Sequence, residues 1–179
     1  SIYGPEFYRL SFSDAVSQGL LSDYKVVVLA VDEEFVSRSL QKQLTDSNNE
    51  LTLDDAVKIV GCMNGLAKKT HFPGEENYFS NDPQPMRRAV AFTQTIEQSK
   101  KFVAMFEEIQ ALYKINTNDG RNHTVELKHV DGSFNALERK NRIEWLKQDT
   151  GEDSCRVLSN ARCLSEGVDV PALDRKSVV

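Results

Sequence analysis

Three polar strings, each placed directly after an apolar run, are the residues most able to do chemistry. They are Phe92-Thr-Gln-Thr95, Asp131-Gly-Ser133 and Ser159-Asn-Ala-Arg162. Hydroxyls, side-chain amides and the free NH groups of a helix start all suit phosphate oxygens. Helix capping is the competing explanation for any one of them, since Thr, Ser and Asn are favoured caps. A fourth string, Glu166-Gly-Val-Asp-Val-Pro171, brings a carboxylate and backbone NH groups to the end of the last apolar run. No residues are assigned to bond-making chemistry. His123 and His129 are spaced to share a strand face but have no carboxylate or thiol in ligand spacing, and Cys62, Cys155 and Cys163 show no CxxC, so no metal site is expected.

The elements that must position these strings follow an alternating pattern. Arg88–Phe92, Thr124–Val130 and Cys155–Leu158 read as strands. Between them, Thr95-x-x-Gln98 resembles a capping box opening a helix to about Tyr113, and a second helix starts at Ser133 and carries Leu137, Ile143, Trp145 and Leu146. Strand–helix–strand–helix–strand predicts a parallel sheet, with all the polar strings on its carboxyl edge, where open α/β sheets bind ligands. Upstream, Ser11–Gly19 reads as a short helix and Tyr24–Val31 as a buried strand. Glu33 to about Leu44 reads as a helix, and Thr52 as the N-cap of another running to about Lys69. The Pro-, Gly- and Asn-rich stretch 71–85 is the clearest break. It divides a connecting, mainly helical segment, 1–85, from an α/β segment, 86–179, with strand 24–31 expected to join the sheet.

The charge is uneven. Residues 1–85 carry 7 basic and 13 acidic side chains, residues 86–149 carry 11 and 9, and residues 150–179 carry 4 and 5, within a total net charge of -5. That total argues against a strongly basic nucleic-acid module, and a polyanion should prefer the second half. Lys68-Lys69 and Arg87-Arg88 are expected to be solvated surface charge, and Cys155 and Cys163 to be buried structural thiols. No apolar run approaches the roughly 18 residues needed to span a bilayer, and three unpaired cysteines fit a reducing compartment. A cytoplasmic protein that does not engage a membrane is expected.

Val157-Leu-Ser-Asn-Ala-Arg-Cys-Leu-Ser-Glu-Gly-Val-Asp-Val-Pro171 resembles motif V of superfamily 2 helicases and translocases. Arg88-Ala-Val-Ala-Phe-Thr-Gln-Thr95 resembles motif IV. His129-Val-Asp-Gly-Ser-Phe-Asn-Ala-Leu-Glu-Arg139 resembles the segment that follows it, and the three occur in the family's order. Residues 3–26 resemble the connection after motif III in restriction-type predicted bacterial helicases. The resemblance implies a second RecA-like (helicase C-terminal) domain: an α/β, three-layer domain with a mainly parallel sheet plus an N-terminal helical arm or insertion. It implies that Thr93, Gln94, Gly132, Arg139, Ser159 and Asn160 contact the nucleic-acid backbone, DNA rather than RNA. It also implies that Glu166, Gly167 and Asp169 face the nucleotide. Ala136 stands where several members have Gln, so that network is expected to be thinner here.

Parts needed for phosphoryl transfer are missing. Gly61-Cys-Met-Asn-Gly-Leu-Ala-Lys-Lys-Thr70 fails the P-loop spacing, because Leu66 stands at the second Gly position, and it reads as amphipathic helix. No Asp-Glu-x-Asp/His box and no Gln-x-x-Gly-Arg-x-x-Arg motif is present. The expectation is therefore a fragment, truncated before motif VI, of an ATP-dependent helicase. It would be inactive alone, with ATP and magnesium used in the parent enzyme and the first RecA-like domain of the same parent as partner. The rival classes are a degenerate helicase-fold protein-interaction domain and a non-helicase nucleotide-binding doubly wound protein.

Overall fold

The β-branched and apolar runs of the second half pair as strands. In the computed structural model, residues 8–21, 28, 31–45, 51–69, 79, 82–117 and 123–161 are described. Four helices come first: α1 (Phe12–Ser17), α2 (Glu33–Ser39), α3 (Gln41–Leu44) and α4 (Leu53–Leu66). Then follow β1 (Arg88–Thr93), α5 (Ile96–Thr117), β2 (Thr124–Val130), α6 (Ala136–Lys147) and β3 (Ser154–Ala161). The three strands form a parallel sheet in the order β1-β3-β2, so the last of the described strands lies in the middle. The expected α/β architecture is present, an arrangement consistent with a RecA-like domain.

Alternation along the strands builds two cores. Ala89, Ala91, Val125, Leu127, Cys155 and Val157 share one cluster with Met105, Phe106 and Ile109 of α5 and with Val36, Ile59 and Val60 of α2 and α4. Val90, Val130 and Leu158 share the other with Leu146 of α6, bordered by Phe92, Phe134, Ile143 and Trp145. Each large side chain fully buried here, such as Phe106 or Leu158, contributes roughly 1.5–3 kcal/mol through removal of apolar surface from water. The helices of residues 33–66 thus belong to the same core as the sheet. The Met86 NH donates to the Leu66 carbonyl at 2.8 Å, and Lys101 of α5 pairs with Asp55 of α4 at 3.1 Å. Gly61 lies where α4 meets Val31: a Cβ there would sit 3.1 Å from a Val31 methyl. Gly61 is helical and buried, which bears out its reading as helix rather than P-loop.

Because β2 is an outer strand among the described residues, its outward backbone groups need partners. Gln110 of α5 supplies them at one point: its amide nitrogen donates to the Val125 carbonyl at 3.0 Å and its oxygen accepts from the Val125 NH at 2.7 Å.

Several local expectations are corrected. The single helix expected over 33–44 is two helices, because Leu40 leaves helical geometry at φ -117°, ψ 18°. α5 runs on to Thr117. α6 begins after Asn135, not at Ser133, because Asn135 and Glu138 form a reciprocal capping box while Ser133 bonds back to Asp131. Of the capping box expected at Thr95, only the Gln98 NH donating to the Thr95 hydroxyl is present, at 3.1 Å. Lys68 is not a solvated charge: its side chain is 5% exposed and pairs with Asp82 at 2.7 Å. The strand expected over 24–31 lies largely outside the described residues. Among the described residues, no helix is long and apolar enough to cross a membrane.

Candidate nucleic-acid interface

Parallel pairing brings three strand ends level. Thr93 of β1 stands opposite Ala161, and Val130 of β2 opposite Asn160. β3 runs three residues further than its apolar run suggested, so Ser159, Asn160 and Ala161 lie in the sheet and not in a loop beyond it. A central strand can carry polar side chains this far only if each finds a partner. Each does. Asn160, 0% exposed, donates from its amide nitrogen to the Ala91 carbonyl at 3.2 Å. Ser159, also 0% exposed, meets the Ser99 hydroxyl at 2.6 Å.

Ser99 and Ser159 belong to a longer chain of hydrogen bonds. The Ser99 hydroxyl lies 2.7 Å from His129 Nδ1, and His129 Nε2 lies 2.7 Å from Asp131 Oδ2. The other oxygen, Asp131 Oδ1, accepts from the Ser133 NH at 2.7 Å and the Ser133 hydroxyl at 2.5 Å. The series links the end of β3, the first turns of α5, the end of β2 and the loop after it. The Ser133 hydroxyl, and after it the His129 imidazole, hold the Asp131 carboxyl at about 2, below the usual carboxylate value, against the opposing effect of burial. An ionised Asp131 only accepts, so His129 donates to it from Nε2. In the neutral imidazole Nδ1 then accepts from Ser99, and Ser99 from Ser159, so that the hydroxyl hydrogens point along the series toward the carboxylate.

Ser99, His129 and Asp131 stand in the sequence of a nucleophile, a base and an orienting acid. Ser99 is 0% exposed, however, so no external substrate reaches its hydroxyl. What the series does is fix the Asp131–Phe134 turn. Residues 132 and 133 at its tip are exposed, and nothing lies within 4 Å of where a Gly132 Cβ would be.

The six residues expected at the nucleic-acid backbone therefore separate. Gln94 and Gly132 are exposed, and Thr93 and Arg139 are partly buried. The Thr93 hydroxyl shares its hydrogen between the Thr95 carbonyl at 3.1 Å and the Asn160 carbonyl at 3.2 Å, tying β1 to β3 at the edge. Ser159 and Asn160 are turned inward, and they shape the edge by what they hold. The nucleotide-facing residues expected at Glu166, Gly167 and Asp169 lie outside the described residues, as does Cys163. Cys155 is fully buried, as expected of a structural thiol.

The start of α6 is less open to an anion than its position suggests, because the Glu138 carboxylate already accepts from the Asn135 NH at 2.9 Å. The start of α5 carries no such carboxylate cap: Thr95 caps it, beside exposed Gln94. Sequence reading missed the Ser99–His129–Asp131 series. Its local signal was the alternation of His129, Asp131 and Ser133 along the chain; Ser99 and Ser159 come from other elements, each 30 positions from His129 and 60 from one another. No group of three or more His, Cys, Asp or Glu that could hold a metal occurs among the described residues.

Compared with known proteins, the chain matches no family model, no curated protein and no solved structure.

Proposed function

We propose that this chain acts as the second RecA-like domain of a cytoplasmic superfamily 2 helicase or translocase, gripping one nucleic-acid strand, DNA in preference to RNA, at the carboxyl edge of its sheet. The observation that carries the reading is the level alignment of the three strand ends, with the exposed Gly132–Ser133 turn fixed beside them. Ligands of open parallel sheets bind at this edge. The motif likenesses at residues 88–95, 129–139 and 157–171 fall on the same edge or run on from it.

Thr93, Gln94, Gly132 and Arg139 make the contacts. Gly132 leaves room for a phosphate, since nothing stands over its α-carbon, and the Arg139 guanidinium has no partner among the described residues. Ser159 and Asn160 act from behind: Asn160 holds β1 against β3, and Ser159 continues the series that fixes the turn. By the motif V likeness, Glu166, Gly167 and Asp169 would face the nucleotide. ATP with magnesium, held on the P-loop of the first RecA-like domain, would drive the closing and opening of the two domains. The chain alone turns over no ATP.

The test is equilibrium binding of labelled single-stranded DNA at low salt, with wild type beside Gly132→Ala and Arg139→Gln. A Cβ at Gly132 meets open space and the backbone is not left-handed there, so Gly132→Ala should unfold at the wild-type urea concentration while binding more weakly. Wild-type protein that binds no single strand, or binding unmoved by both substitutions, would overturn the proposal.

A further inference from the structure

On the face of the sheet opposite the His129 series, β2, β3 and α6 hold a group of cations against aromatic rings. Lys128 Nζ lies 4.5 Å from the centroid of the Trp145 ring, and the Arg156 guanidinium carbon 5.1 Å from the same centroid. The Arg142 guanidinium carbon lies 5.6 Å from the Phe134 ring. Such contacts are favourable for each cation singly but leave their mutual repulsion in place.

The neighbouring acids are already engaged. Glu126 pairs with Arg156 at 3.2 Å, Glu144 with Lys147 at 3.8 Å and Asp149 with Arg87 at 3.7 Å. Glu138 is bound to the backbone NH of Asn135 at 2.9 Å. Lys128 and Arg142 are left with no hydrogen-bond or ion-pair partner among the described residues. Burial first, then Arg142 and Arg156, push the Lys128 ammonium below its usual value, with Glu126 opposing. An anion placed between Lys128 and Arg142 would relieve that repulsion.

We infer that this face is a second contact surface for the phosphate backbone of a nucleic-acid strand, with Lys128 and Arg142 as its anion-binding cations and Trp145 and Phe134 as the rings that hold them in place. The inference rests on the nucleic-acid reading above and extends it from the edge of the sheet to the α6 face. Continuity favours this occupant. Phe134, whose ring lies under the Arg142 guanidinium, ends the Asp131–Phe134 turn and meets the His129 ring at 5.9 Å in a tilted contact, which joins the turn bearing Gly132 to the cation group. Cations beside aromatic rings are the usual composition of grooves that track single strands.

The experiment is a salt titration of single-stranded DNA binding by the whole chain, comparing wild type with the double variant Lys128→Gln, Arg142→Gln. Each phosphate contact on a single strand contributes about 0.7 to the slope of log K against log salt, so the double variant should show a slope smaller by about 1.4. The charge-preserving pair Lys128→Arg, Arg142→Lys should keep the wild-type slope. Urea unfolding of the Gln variants separates lost cations from a lost fold. An unchanged slope in a variant that folds would overturn the inference while leaving the strand-end site standing, provided Gly132→Ala still weakens binding. A wild-type chain that binds no nucleic acid would overturn both. Poly-glutamate of matched charge displacing the strand as readily as competing DNA would overturn it in favour of an acidic protein partner.

Discussion

Arg156→Met isolates the device that ends α6. The last carbonyls of a helix have no intrahelical donor. Here guanidinium groups from the sheet supply them: Arg156 Nη1 donates to the Trp145 carbonyl at 2.7 Å, and Arg88 Nε to the Leu146 carbonyl at 3.1 Å. Arg156 also reaches Gln148 Oε1 at 3.2 Å and the Glu126 carboxylate at 3.2 Å. Methionine keeps most of the apolar stem and removes the charge. A hydrogen bond from a charged donor is worth about 1.5–3 kcal/mol, and a cation over a partly exposed ring such as Trp145 about 0.5–1 kcal/mol. The ion pair adds at most about 1 kcal/mol, because Glu126 is half exposed and solvent screens it. These effects overlap, so the expected loss is about 2–4 kcal/mol. The assay is urea unfolding followed by tryptophan fluorescence. Trp145 is the single tryptophan of the chain and sits at this helix end, so its signal reports the perturbed region directly. Glu126→Gln is the control and should cost under about 1 kcal/mol. The reasoning is refuted if Arg156→Met costs less than about 0.5 kcal/mol, or if Glu126→Gln costs as much as Arg156→Met, which would move the effect from the helix carbonyls to the surface ion pair.

Two further outcomes are expected. Asp131 has a folded-state pKa of about 2, below the roughly 3.9 of an unfolded chain, so its contribution to stability is present above that unfolded value and is lost as pH falls through about 2. Urea midpoints measured from pH 5 to about pH 2 should fall less steeply in Asp131→Asn than in wild type, and parallel curves would argue against an ionised Asp131 at the centre of the turn. Ser99→Ala leaves His129 Nδ1 without its donor and the buried Ser159 hydroxyl without its acceptor, at a cost of about 1–3 kcal/mol. Amide exchange at Gly132 and Ser133 should quicken with it, and unchanged exchange there would mean that the series does not hold the turn.

The local elements were legible because they depend on short-range pattern. The short apolar run at Ala89–Phe92, the alternation through Thr124–Val130 and the hydroxyls of Thr52 and Thr95 anticipated β1, β2, α4 and α5 to within a few residues. Competition between nearby caps decided what was misread. Ser133 and Asn135 can both start α6, and Asp131 settles the choice by binding Ser133. The end of β3 was misread for a different reason. Ser159-Asn160 has loop composition, and it stays in the strand only because Ser99 and the Ala91 carbonyl, distant in sequence, satisfy it.

Taken alone, the sequence determined that a parallel α/β sheet would form and that polar groups would follow each strand, because periodicity and β–α alternation are properties of neighbouring residues. Tertiary structure decided which of those groups face outward. Pairing β3 between β1 and β2 sets His129 beside Ser159, lets α5 lower Ser99 onto both, and turns two expected contacts into buried supports. It also gathers Lys128, Arg142 and Arg156 around two aromatic rings. Such groupings depend on strand order and register, which long-range packing selects and short-range pattern does not encode.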